Sequence, residues 1–326
     1  MINFAAIYYP KIKSNLLPIL FNFNHSTIMM RKLLFALALG FSMSAMGQVL
    51  QVTSIDKVNM PEQAAVAAIS PQGDYLLLTS ATNQGLTKLD LTSGQTQTLS
   101  NAPSAGHNVK ISPDGQTVVY REGSFNKKHL RVSSLKSVNL ATGASQELVK
   151  PTRDLQGYAV DATTAGVVNK GKYSKKAIGT AKAQNLPVLS VNKGQLMITV
   201  NGKTRKLSPN GDQYSYMWAS ISPDGTKVLY YQAAHGTYVC DLDGSNVRKV
   251  GKMRAPVWYD DNTVVGMIDL DDGEFIYAST IVAATLDGTT QMLTDDATVA
   301  MYPHAAAGRI AFSTPAGEAY IINVTK

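Results

Sequence analysis

Ala219-Ser220-Ile221-Ser222-Pro223-Asp224-Gly225-Thr226-Lys227-Val228-Leu229-Tyr230 reads as a strand ending at Ile221, a tight turn on Ser-Pro-Asp-Gly, and a second strand rich in Val, Leu and Tyr. Proline suits the first central position of such a turn because its φ is already near the required value, and glycine accepts the positive φ that follows. The stretch recurs as Ala68-Ile69-Ser70-Pro71-Gln72-Gly73 running on through Leu78, and as Lys110-Ile111-Ser112-Pro113-Asp114-Gly115 running on to Tyr120. A repeat of this kind decides the fold, because each copy is one structural unit that must bury its apolar face on its neighbours.

A second column of repeats extends the first. Lys88-Leu89-Asp90-Leu91-Thr92-Ser93-Gly94 followed by a strand to Leu99 is a hairpin, and the same unit appears around Gly143, Gly202, Gly244 and Gly288. Asn-Gly or Asp-Gly between alternating runs is a strong hairpin signal. The turn glycines lie 49, 59, 42 and 44 residues apart, and four short strands per period of this size is the pattern of a β-propeller blade. The expectation is therefore an all-β, six-bladed β-propeller of four-stranded antiparallel blades. The blades fall at about 62–100, 104–150, 155–210, 214–250, 254–295 and 299–326. The alternating segment Val49–Ile55 supplies the outer strand of the last blade and closes the ring, so that 49–61 belongs with 299–326. Residues 169–185, which hold Lys170, Lys172, Lys175, Lys176 and Lys182 and no acid, read as a loop inserted within the third blade.

The chain of 326 residues carries a formal charge of +7. Met30-Arg31-Lys32, the apolar run Leu33–Met43 and the small residues Ala45 and Gly47 form a secretory signal, with cleavage expected after Gly47. The run is shorter than the roughly 20 apolar residues that span a bilayer. Residues 1–28 precede a complete signal, so they read as an upstream extension, with Met29 or Met30 as the start and 29–47 as the signal peptide. The mature protein, 48–326, is then a single propeller domain, exported to a periplasm or the extracellular medium and monomeric. Residues 1–47 contain four basic residues, Lys11, Lys13, Arg31 and Lys32, and no acid, which leaves +3 for the remainder. The basicity belongs largely to the leader and gives no argument for nucleic acid. Cys240 is the single cysteine, so no intrachain disulfide forms; in the alternating run Tyr238–Leu242 it reads as a small buried hydrophobe.

The Ser-Pro-Asp-Gly turns at 112–115 and 222–225, with Gln72 in place of Asp in the first copy, and the Pro-x-Trp run Pro256–Trp258, resemble the repeat of the TolB-type propellers. The resemblance covers essentially the whole mature chain and implies the fold. It is weak for function, since the same repeat occurs in periplasmic scaffolds, in the propellers of oligopeptidase-type peptidases and in oligogalacturonate lyases. The chain departs from each. No α/β domain precedes the propeller as in TolB itself, no Gly-x-Ser-x-Gly elbow is present, and only His107, His129, His235 and His304 follow residue 47.

Candidate site residues are few. His107 and His304 sit in or beside expected first strands and, with Trp258, are candidates to line the channel. His129 and His235 fall near hairpin turns. Asp269, Asp271, Asp272 and Glu274 are candidate ligands for a hard cation such as calcium, which takes six to eight oxygens; the alternative is a solvated turn. Lys172, Lys175 and Lys176 are candidates for docking an acidic partner, or a solvated face. No phosphate loop, zinc spacing or catalytic triad is present. The expected function is a non-enzymatic scaffold, without a cofactor, that binds a protein or cell-envelope component. The alternative is a carbohydrate-active enzyme using the channel mouth and a bound cation.

Overall fold

The computed structural model describes residues 48–326. The proposed signal peptide and upstream extension lie outside the described residues. From 51 onward the chain forms seven antiparallel sheets that make a seven-bladed β-propeller. Blades 1, 2, 5 and 6 span 65–100, 110–152, 216–251 and 254–292, each with four strands in sequence order. Blade 7 combines 301–325 with the strand Gln51–Lys57, which pairs with Ala319–Thr325 as its outer member. Blades 3 and 4 span 155–177 and 188–206 and have three strands each. The first strand of each blade lies innermost, against the first strand of a neighbouring blade.

The Ser-Pro-Asp-Gly segments form the turns expected. In all three the serine is buried, its carbonyl accepts the N–H of the turn glycine at 2.8 to 2.9 Å, and its hydroxyl accepts the backbone N–H that opens the second strand. The glycines sit at φ 71°, 73° and 75°. These turns define one face of the ring, here the turn face; in every blade but the fourth the hairpin joining second to third strands projects on the opposite, open face.

One apolar cluster fills almost every seam. Val66, Leu76, Leu78 and Leu89 of blade 1 meet Ala311, Ala319 and Ile321 of blade 7, and Leu77 and Leu86 meet Val118 and Tyr120 of blade 2. Leu196 and Ile198 of blade 4 meet Tyr216, Val228 and Tyr230 of blade 5. Between blades 6 and 7, Met267, Ile281 and Ala283 pack on Ile310, Phe312 and Ile322, with Leu50 joining them.

The six-blade expectation fails between 155 and 210. That stretch holds six strands, two short blades where one four-stranded blade with an insertion was expected. Lys172–Ala177 is the outer strand of blade 3, paired with Thr164–Asn169 in continuous register, and not part of a loop. The hairpin at Asn201-Gly202 exists, but it joins the second and third strands of blade 4.

The two odd blades are adjacent for a geometric reason. Three strands leave the chain on the face opposite to the one where four would leave it. The chain accordingly stays low, with the Gln184 N–H on Thr164 Oγ1 at 2.8 Å, and enters blade 4 from the turn face. Leu186 and Val188 lie beside Gly166, and Leu189 and Ser190 beside Gly157. Gly166 pairs with Ala159, two residues beyond Gly157 along its strand, so Val188–Asn192 runs opposite to Leu155–Val160. A second three-stranded blade restores the polarity, and the Tyr216 N–H meets the Gly194 carbonyl at 3.0 Å where blade 5 begins. The seam between blades 3 and 4 depends on close backbone approach: a Cβ on Gly157 would stand 2.4 Å from the Leu189 carbonyl oxygen.

Candidate functional site

The two faces differ in regularity. On the open face, two hairpins exceed the others: blade 2 pairs Thr117 with Asn139 through Phe125 with Arg131, and blade 6 pairs Thr263 with Thr285 through Asp271 with Ile276. The equivalent hairpin of blade 5 ends six pairs from its start, at Gln232 and Gly236. Three further pairs at the usual strand rise project about 10 Å beyond the rest. The blade 2 hairpin ends in Phe125, Lys127, Lys128 and His129, and the blade 6 hairpin in Asp272, Glu274, Phe275 and Tyr277. Phe125, Phe275 and Tyr277 are 71%, 66% and 60% exposed, far more than aromatic side chains that serve packing.

The first strands of blades 5, 6 and 7 share one distortion near their open-face ends. Met217 and Ser220, Arg254 and Val257, and Met301 and His304 each advance three residues against two on the partner strand. The extra residue begins with Trp218, Ala255 and Tyr302 at φ 49°, 45° and 52°. A bulge re-aims its side chains, and a left-handed conformation in a non-glycine residue costs on the order of 1 kcal/mol. Trp218 and Tyr302 stay exposed there, Trp218 edge-on to Tyr231 with ring centroids 5.2 Å apart.

Inside the ring, blade 2 presents cations. Lys110 pairs in register with Val119, so Arg121, two residues further on, is its diagonal neighbour on the same side of the sheet, about 7 Å away. Alternation along the regular hairpin puts Gly123 and Arg131 on that side as well. The Arg131 Nη2 donates to Ser104 Oγ at 2.6 Å, and the Arg121 guanidinium lies 5.3 Å from the centre of the Tyr158 ring. Arg121 Nε is buried without a hydrogen-bond partner. Among the described residues, no carboxylate lies within 4 Å of Lys110, Arg121 or Arg131. Glu122 belongs to the other side of the sheet, paired with Lys136 at 2.6 Å and with Ser100 Oγ at 2.7 Å.

Burial and the Arg121 charge lower the Lys110 proton affinity. His107 is held below the usual histidine range by burial, then by Arg121, Arg131 and Lys110. Burial brings His304, half-buried in the first strand of blade 7, down to about 4, against a hydrogen bond to the Val66 backbone that favours its proton. Both histidines are neutral at physiological pH. The structure therefore brings His107 and His304 towards one basic lining across blade 1, with Lys110 acting on each.

The other candidates are placed elsewhere. Trp258 Nε1 reaches the Ser220 carbonyl of blade 5 at 3.4 Å, and its ring packs on the cluster between blades 5 and 6. Asp269, its side chain 2% exposed, accepts from Arg254 Nη1 at 2.5 Å, with Asp271 at 3.5 Å from the same nitrogen. Desolvation raises the Asp269 pKa despite Arg254. Asp272 accepts the N–H groups of Glu274 and Phe275 and closes its own turn. Among the described residues, no three His, Cys, Asp or Glu side chains converge as metal ligands. Lys172, Lys175 and Lys176 are exposed on the outer strand of blade 3, where lysines discourage edge pairing. His129 tips the blade 2 hairpin, and His235 Nδ1 is 2.8 Å from the Ala233 carbonyl. Cys240 is buried, and burial pushes its thiol up to about 12. No helix of the described residues is long and apolar enough to cross a membrane.

Lys110, Arg121 and Arg131 escape a motif search because no motif contains them. One signal was available: in the repeat frame Lys110 aligns with Ala68 and Ser220, and Arg121 with Thr79 and Tyr231. A cation where sister copies carry a small or uncharged residue is not explained by the fold.

No protein-family model matches the chain, and no curated protein matches it. Solved structures do. Virginiamycin B lyase from Staphylococcus aureus is similar at 11% identity and a TM-score of 0.55, covering 83% of this chain and 99% of that one. The β-propeller domain of Cps50 (Swd1) from Myceliophteria thermophila is similar at 11% identity and a TM-score of 0.52, covering 85% and 100%. Oligogalacturonate lyase from Vibrio parahaemolyticus aligns at 15% identity and a TM-score of 0.43, covering 79% and 76%. The first two likenesses show the β-propeller fold, and at these identities the fold alone.

Proposed function

We propose that this chain is an exported, TolB-like binding scaffold, not an enzyme, that engages a protein or cell-envelope component on its open face. The observation that carries this reading is the asymmetry of the two faces. Short turns of the repeating frame make up one, while the protruding hairpins of blades 2 and 6 with their exposed aromatics, and the strained bulges at Trp218 and Tyr302, belong to the other. Binding residues concentrate on loops held by a rigid scaffold, and strained backbone is retained where it positions a contact. The hairpin tips carry opposite charges, Lys127 and Lys128 against Asp272 and Glu274, which orients a partner lying across the mouth.

The test is cross-linking capture from envelope extracts with three proteins: the full chain, a variant with Phe125, Phe275 and Tyr277 changed to Ser, and a turn-face variant, Lys227→Glu. Capture of a defined partner by the first and third but not the second is expected. Equal capture by all three, or none by any, would reject the reading. Export is tested by sequencing the amino terminus of the cell-produced protein, which should begin at Gln48.

A further inference from the structure

We propose that the channel contains an oxyanion site, for a carboxylate or phosphate group, formed by Lys110, Arg121 and Arg131 of blade 2 with neutral His107 as a hydrogen-bonding partner. This goes beyond partner docking on the hairpins and stands whether or not that docking occurs. Three cations on one side of one sheet repel one another, most strongly the half-buried Lys110 and Arg121, while Arg131 is exposed at the rim. Folded proteins ordinarily relieve such a cluster with a carboxylate, and this protein does so elsewhere: Arg254 has Asp269 in blade 6, and Lys136 has Glu122 on the other side of blade 2. The blade 2 cations have none within reach, and Arg121 Nε is a buried donor left open.

The surroundings hold this arrangement in place. Tyr158 packs beneath the Arg121 guanidinium, with its own hydroxyl committed to the Asn108 carbonyl at 2.5 Å. Ser104 orients Arg131. Gly123 admits the backbone of the loop between blades 1 and 2, whose Pro103 carbonyl accepts the Gly123 N–H at 2.6 Å. A planar guanidinium, a second arginine and an ammonium suit the bidentate geometry of carboxylate and phosphate. The neutral His107 imidazole adds one donor without adding charge, whereas the single N–H of neutral His304 is spent on the Val66 backbone.

The experiment is titration calorimetry of the full chain with inorganic phosphate and, separately, with succinate, backed by thermal unfolding with and without each anion. The wild type is expected to bind at least one; phosphate alone indicates a phosphate-bearing ligand, and succinate alone a carboxylate. Lys110→Met and Arg121→Met should each weaken binding at least about tenfold. Lys110→Met should also raise the melting temperature without anion, because it removes an unpaired charge, while losing the anion-dependent rise. A purely structural lysine would give the opposite sign. Lys136→Met, on the other side of the same blade, should bind as the wild type does. Absence of binding of both anions to the wild type overturns the proposal, as does unchanged binding by a folded Lys110→Met or Arg121→Met protein.

Discussion

Lowering the pH should destabilise this protein before its carboxylates titrate, with His304 a principal cause beside His107. The ordinary value of His304 is 6.5, and burial in the channel wall brings it to about 4. Between these values the unfolded chain takes up a proton that the folded chain refuses, so stability falls as the pH drops through this window and is unaffected above it. From neutrality to about pH 5 the difference amounts to about 2 kcal/mol. With an m-value of about 3 kcal/mol/M, the urea midpoint moves down by about 0.6 M. The assay is urea unfolding by tryptophan fluorescence at several pH values for the wild type and His304→Gln, which keeps an amide donor for the Val66 carbonyl. The wild-type midpoint should fall more steeply than that of the variant, and the gap between the two slopes isolates His304 from every other group. Parallel curves between about pH 7 and pH 5 would show that the imidazole is not desolvated as described.

The other expected outcomes rest on packing and backbone. Gly157→Ala drives a Cβ to 2.4 Å from the Leu189 carbonyl and should cost on the order of 3 kcal/mol; Gly179→Ala, with nothing within 4 Å, should be neutral in the same denaturation series. Lys170 and Lys193 each precede a glycine in a hairpin turn and sit at φ 53° and 49°. Replacing either with Asn, which Asn201 already is in the equivalent place, should stabilise by about 0.5 kcal/mol, read by calorimetry. Leu50→Ala empties a side chain 1% exposed between blades 6 and 7 and should cost about 3 kcal/mol, seen as a lower thermal midpoint.

The regular part of the fold was legible because its turns are chemically specific. Ser70, Ser112 and Ser222 close their turns through the same hydrogen bonds, so residues that do the same work look alike in the sequence. Strand pairing at the ring's end was legible for a related reason: the alternation of Val49–Ile55 had no partner nearby. The blade count was not legible. The 59-residue interval between Gly143 and Gly202 contains six strands, and a pair of three-stranded blades displaces Asn201-Gly202 from one hairpin position to another without altering how it reads. Lysines at 172, 175 and 176 suggested a loop, whereas charged residues are also what an outer strand needs. The site was the least legible, since Lys110 and Arg121 meet by register across a sheet and Arg131 joins them from the third strand.

The strand Gln51–Lys57 emerges early in synthesis and finds its partner last, with Thr53 bonded to Asn323 across 270 positions. The Gln291 side chain holds the approach to that strand from both sides, accepting from the Val49 and Leu50 N–H groups and donating to the Leu50 carbonyl. Until the segment around Ala319–Thr325 is made, the first strand stays unmatched and the seam between blades 7 and 1 stays open, so an interrupted chain displays raw sheet edges to its surroundings. The ring thereby reports its own completion: a full-length product pairs its first strand and closes its last seam together, and a truncated one advertises itself to proteases and chaperones.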